Sequence, residues 1–185
     1  VWRLVRRTTK PGEKEIRWNP AEGKINPDEL EGFDTIVHLG GAGIGDKRWS
    51  KKRMKLIEES RTVSTTFLSE TIANLKNKPD SFVVSSAVGW YGERGDEELT
   101  EDSTPGQGFL PTTCANWEDS CQAAKAAGIR TVNLRTGIVL DATGGALGKM
   151  LLPAKLGGGG RGVGGGGDGH CTDFELGLAS DKDKL

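Results

Sequence analysis

A chain of 185 residues with a formal net charge of −1 is long enough for one domain with a real core, and its charge offers no electrostatic hold on nucleic acid or an anionic membrane. Hydrophobic residues make up 35% and 28 glycines bring the sum into the ordinary globular range; no apolar run approaches the roughly 18 residues that a membrane span needs. Cys114, Cys121 and Cys171 form no CxxC pair, and His38 and His170 lie far apart, which argues against a metal site. With no signal peptide at its start, the chain reads as a cytoplasmic protein, or one of an organelle lumen. Opening at Val1 inside a strand-like segment, it also reads as a piece of something longer.

In chain order, Val1 to Val5 reads as a short apolar strand ending in Arg6-Arg7, followed by a turn at Pro11-Gly12. An arginine there is either a charged sheet edge or a guanidinium presented to a nucleotide phosphate. Glu15 to Trp18 reads as a second strand, and Asn19-Pro20, Gly23 and Asn26-Pro27 as a loop. Phe33 to Leu39 is a strand of the buried kind that runs into Gly40-Gly41-Ala42-Gly43. Glycines at a strand's carboxyl end let backbone approach a ligand closely. GGAGIG is not the GxGxxG fingerprint, because it lacks the downstream acidic residue and second strand at the required spacing.

Ser50 suits the N-cap of a long helix to about Asn77, with Met54, Ile57, Phe67, Leu68, Ile72 and Leu75 as its apolar stripe. Arg61, in the middle of that helix, is solvated, paired, or turned to the ligand edge. The helix leads through Pro79-Asp80 to a strand at Ser81, so the order strand, helix, strand predicts a parallel sheet. That strand, Phe82-Val83-Val84, is expected to end at Ser85 and Ser86, before the Gly89-Trp90-Tyr91-Gly92 turn. Hydroxyls at the carboxyl end of a parallel strand are candidates for chemistry; equally, the serines satisfy turn backbone while Trp90 and Tyr91 cover the sheet end.

An acidic patch (Asp96 to Asp102) and a loop at Pro105-Gly106 follow. Pro111 fits N1 of a second helix that carries Trp117, Cys121 and Ala124, with Gly128 as its C′ residue. Ile129 to Leu140 reads as a strand interrupted by Arg135-Thr136-Gly137. An arginine inside a buried strand needs a partner, so either the strand ends there or Arg135 serves a ligand. A short helix is expected near Leu147 to Lys155. From Gly157 to Gly169 ten of thirteen residues are glycine, which reads as a flexible tail over 157–185 behind a domain over 1–156.

The stretches EIRWNP, LEGFDTIVHLGGAGIGDKRWS, IEESRTVSTTFLSETI, SFVVSSAVGWYGERGDEELTE, GFLPTTCANWE and LRTGIVLDATGGALGKMLLPAKLG together resemble the atypical short-chain dehydrogenase/reductases known as NAD(P)-dependent epimerase family proteins, the YfcH-like and human epimerase-like group. The resemblance covers about Val1 to Gly158. It implies an α/β, Rossmann-like doubly wound parallel sheet that binds NADP(H), or NAD, and acts on a small molecule such as a sugar nucleotide; whether a homodimer forms is left open, and no nucleic acid or membrane is expected as partner. By the same resemblance, Arg7 lies beside the adenosine phosphate. Leu39, Gly40 and Gly41 line the adenine side. Ser85 and Ser86 fall near the catalytic serine or threonine, with Ser86 preferred and Tyr91 as a proton-handling group. Arg135, Thr136 and Gly137 fall where the cofactor's nicotinamide and the substrate meet.

Three departures from the family's pattern bear on function. The family opens with a strand and a GGxGxIG turn that precede the segment matched by Val1, which predicts a gap in the middle of the 3-2-1-4-5-6 strand order and weak or no cofactor binding by residues 1–185 alone. The superfamily's Tyr-xxx-Lys, in which lysine prepares the tyrosine for proton exchange, is missing: the single tyrosine, Tyr91, is followed four residues on by Gly95. The family's Trp-, His- and Asp-rich segment is replaced by the glycine tract. Two functions follow from this: an NADP(H)-dependent epimerase or oxidoreductase, or a catalytically silent NADP(H)-binding sensor or scaffold.

Overall fold

Strand β5 (Ser81–Ala87) is the centre of the larger of two sheets in this computed structural model, which describes residues 1–45, 47–139 and 147. It is flanked by β4 (Thr35–His38) and β6 (Arg130–Thr136), both parallel to it, in the order β4-β5-β6. A smaller sheet carries β1 (Arg3–Val5), β2 (Glu15–Asn19) and β3 (Lys24–Ile25), with β1 parallel and β3 antiparallel to β2. No strand bridges the two sheets among the described residues, as the family's strand order predicts. Residues Val1–Val139 nevertheless make one compact unit, because Ile16 and Trp18 of β2 share a buried cluster with Ile36, Phe82 and Val84 of the larger sheet.

The connections are helical. Helix α1 (Lys51–Ala73) joins β4 to β5, and α2 (Phe109–Asp119) with α3 (Gln122–Ala126) joins β5 to β6, so the chain is Rossmann-like α/β with parallel strands linked by helices. Ser50 caps α1 as its sequence predicts, its hydroxyl accepting from the Arg53 amide at 3.2 Å. The helix ends at Ala73, short of Asn77, where Glu31 takes over the backbone amides of Lys76 and Asn77. Where one helix is expected beyond Pro111 there are two. The Ser120 hydroxyl bonds back to the Asn116 carbonyl at 2.7 Å, and such back-bonding competes with the helix ladder. Pro111 is the third residue of α2 rather than its first. Gly128 sits just past the cap of α3 at φ 79°, the left-handed position that suits glycine.

Because strand side chains alternate, β5 sends Phe82, Val84 and Ser86 into the core and leaves Ser81, Val83, Ser85 and Ala87 half-buried on the other face. The core face packs against Leu68, Ile72, Trp117, Cys121 and Ala124 of the three helices. Hydroxyls hold the layers in register. Thr65 accepts from Trp117 Nε1, and Ser69 accepts from the Ala124 amide, both at 2.9 Å. The opposite face of the larger sheet still exposes Val37 at 55% and Leu134 at 42%. The predicted helix near Leu147 to Lys155 and the glycine-rich segment 157–185 lie outside the described residues, Leu147 apart. No described helix is long and apolar enough to cross a membrane.

Candidate functional site

The carboxyl ends of β4, β5 and β6 lie side by side, with His38 opposite Val84, Ser85 opposite Leu134, and Ser86 opposite Arg135. In open α/β sheets this edge is where ligands bind. The two serines remain inside β5 rather than ending it, and the alternation separates them. Ser86 is 2% exposed and its hydroxyl donates to Glu118 Oε1 at 2.6 Å. Ser85 stands on the uncovered face, where its hydroxyl makes one long contact, 3.4 Å, with the Ser86 carbonyl.

Arg135 shares the Ser86 face and resolves its cost of burial through a third route, a carboxylate. Its Nε and Nη2 donate to the two oxygens of Glu118 at 2.9 and 3.0 Å, a bidentate pair of the strongest kind. That bond lifts the guanidinium above its ordinary pKa, against the burial that works the other way. Nη1 donates to the Tyr91 hydroxyl at 3.2 Å and to the Glu101 carbonyl at 3.0 Å. The guanidinium carbon lies 3.8 Å over the Trp90 ring and 5.3 Å from that of Tyr91. Arg135 thereby ties β6, α2 and the loop after β5 together. That loop is closed on itself by Trp90 Nε1 donating to the Ser103 carbonyl and by the Gly106 amide donating to the Trp90 carbonyl. A Cβ on Gly106 would stand 2.1 Å from the Tyr91 oxygen, so only glycine fits there.

On the β4 side the glycines make room for the protein's own side chains. A Cβ on Gly40 would fall 2.8 Å from the His38 ring, and one on Gly41 would fall 3.0 Å from the Arg61 guanidinium carbon. His38 is buried against Trp18 and bonds to the Ser64 hydroxyl at 3.0 Å; burial pushes its pKa down to about 4, which keeps the ring neutral at physiological pH. The Ala42 amide donates to the Ser60 hydroxyl at 2.9 Å, and Arg61 donates to the Ala42 carbonyl. Leu39 is exposed on the same loop.

The structure therefore brings Ser86, Tyr91, Arg135 and Thr136 into one cluster, the last through its hydroxyl on the Ser86 carbonyl at 3.2 Å. Gly137 follows β6 with open space around it, and Leu39, Gly40 and Gly41 lie at the end of the neighbouring strand. Arg7 belongs to the smaller sheet, where it donates through both terminal nitrogens to Glu15. That contact, with the Lys10 amide adding to it, holds the Glu15 carboxyl down to about 2. Arg6, beside it, is exposed and makes no bond in the described structure. Sequence reasoning missed Glu118, although it follows Trp117 in the NWE triplet of a helix whose Cys114 and Trp117 face the core. Among the described residues no group of His, Cys, Asp and Glu could hold a metal ion.

No family model matches the chain. An epimerase family protein of Mycobacterium leprae is 36% identical over 165 residues, which cover 86% of this chain and 53% of that protein. Among solved structures, human epimerase family protein SDR39U1 (isoform 2) with NADPH superposes with a TM-score of 0.70 at 31% identity, over 85% of this chain and 52% of that one. A nucleoside-diphosphate sugar epimerase of Corynebacterium glutamicum gives a TM-score of 0.69 at 38% identity, over 85% and 32%. The chain spans about half the length of the curated relatives it matches. Over that half, it belongs to the epimerase family of atypical short-chain dehydrogenase/reductases.

Proposed function

We propose that the protein binds NADP(H), with NAD as the lesser alternative, along the carboxyl edge of β4, β5 and β6, and carries out epimerase-type oxidation and reduction of a small molecule such as a sugar nucleotide. The observation that carries this reading is the human relative with NADPH, alike over 85% of this chain. The residues present fit a dinucleotide: a parallel sheet edge, a small-residue loop at Gly40-Gly41, and a Ser85 hydroxyl on the uncovered face. When bound, such a cofactor supplies hydride transfer at its nicotinamide ring. The chain's own part is to position and to move protons. Ser85 or Ser86 orients a substrate oxygen, Tyr91 handles the proton, and Arg135 holds the Tyr91 hydroxyl in place. Thr136 and Gly137 border the substrate. Arg7 lies beside the adenosine phosphate, with Arg6 as the unengaged guanidinium next to it.

A second reading is a silent NADP(H)-binding sensor or scaffold. It is favoured by the internal engagement of Ser86 and Arg135 with Glu118 and by the missing Tyr-xxx-Lys. Titration with NADPH and NADH, followed by turnover on a panel of sugar nucleotides, separates the two. Turnover abolished by Ser85→Ala or Ser86→Ala supports the enzyme; binding without turnover supports the sensor; no binding of either dinucleotide, even at the millimolar concentrations that weak binding by residues 1–185 requires, rejects both.

A further inference from the structure

At the carboxyl edge the fold supplies Arg61 with carbonyls and an aromatic ring but, among the described residues, with no carboxylate. Its Nη1 donates to the Ile57 carbonyl at 2.8 Å and to the Ala42 carbonyl at 3.1 Å, while Nε and Nη2 form no hydrogen bond in the described structure and keep contact with solvent. The guanidinium lies 5.0 Å over the Trp117 ring and is half-buried. A charge withdrawn from water without a counter-ion is costly. Burial accordingly draws Arg61 below its ordinary pKa, against the pull of Cys114, and the neighbouring Arg53 adds a smaller push downward. The loop is shaped around this side chain. Gly41 does not adopt a positive φ, and a Cβ there would stand 3.0 Å from the Arg61 guanidinium carbon, so that any larger residue would push this side chain aside by a few tenths of an ångström.

We propose that Arg61 binds an oxyanion beside Gly41 through Nε and Nη2, the diphosphate of a dinucleotide or of a nucleotide sugar. This rests on the reading that the edge takes a nucleotide. The planar fork matches two phosphate oxygens, Trp117 beneath it fixes its plane, and Nη1 anchored on two carbonyls leaves the other donors pre-organised.

The test is a titration of the full, isotope-labelled chain with inorganic pyrophosphate, followed through the arginine Nε–H resonances. The Arg61 resonance is expected to shift saturably while that of Arg135, committed to Glu118, stays. Arg61→Lys, which keeps the charge and loses the fork, is expected to weaken pyrophosphate binding about tenfold or more. Gly41→Ala, which displaces the guanidinium without altering it, is expected to do the same should the lysine variant fail to fold. No binding by the wild type, or unchanged binding in the variants, overturns the proposal. NADPH and uridine diphosphate then separate the two sources: whichever moves the Arg61 resonance supplies the diphosphate. Affinity for that ligand undiminished in Arg61→Lys overturns the assignment, and NADPH binding that persists beside it leaves the cofactor reading standing. Pyrophosphate binding through Arg61 without any NADPH binding does the reverse.

Discussion

Two arginines at one sheet edge, Arg135 and Arg61, illustrate how a fold divides its charges between itself and a ligand. Arg135 is 15% exposed in its side chain and meets Glu118, Tyr91, Trp90 and a backbone carbonyl. Arg61 lies over a tryptophan in much the same manner but meets only carbonyls, and two of its nitrogens stay open. The first arrangement is complete and needs nothing further. The second is stable because the side chain keeps some solvent, and it becomes complete only with an anion. Residue type and place in a strand or helix are therefore poor guides to which arginine serves a ligand; the partner inventory is the better one.

This contrast can be broken at several points. The largest effect is expected from Glu118→Ala, which strips the paired arginine and Ser86 of their shared acceptor. Leaving a buried charge uncompensated costs about 3–5 kcal/mol, to be read from chemical denaturation, and a loss below 1 kcal/mol would mean that the cluster is not what holds β6 to α2. Next comes His38, beneath the open side. The unfolded chain takes up a proton there near pH 6.5, and the folded chain refuses it until about pH 4. Stability is therefore full above pH 6.5 and falls, by about 3 kcal/mol, as pH drops towards 4. His38→Gln should flatten that slope. A smaller effect, about 1 kcal/mol for the loss of two carbonyl contacts, is expected from Arg61→Gln. A stability loss matching that of Glu118→Ala would erase the distinction between the two arginines. Smallest is Lys55→Ala, which removes an exposed pair with Glu59 one helical turn on and should leave the denaturation midpoint unchanged within error.

Much of this architecture was legible in the chain because it rests on local rules. Ser50 caps its helix, Gly128 ends another, and the apolar runs at residues 35–38 and 81–87 pair in parallel across a helical connection. What was not legible depended on partners distant in sequence. Ser86 looked like the end of a strand because a hydroxyl in a buried strand needs an acceptor, and that acceptor is 32 residues away on α2. Ser64, Thr65 and Ser69 weaken the apolar stripe of α1, yet they are buried, each bonded to a different neighbouring element. The two-residue β3 is too short to carry any period at all. At the candidate site, the partners of the expected residues were not legible: the glycines after β4 shelter His38 and Arg61, and Arg7 and Arg135 are each engaged by a carboxylate.

The measurement that tests the central claim most directly is an amide resonance map of the full chain titrated with NADPH. Binding at the carboxyl edge predicts saturable shifts at Leu39 to Gly43 and at Ser85 to Ala87, with Ser81 and Ile129 at the sheet's opposite edge and Ala124 on α3 left in place. Saturable shifts confined to those distant residues, or no shifts anywhere at millimolar NADPH, would contradict it.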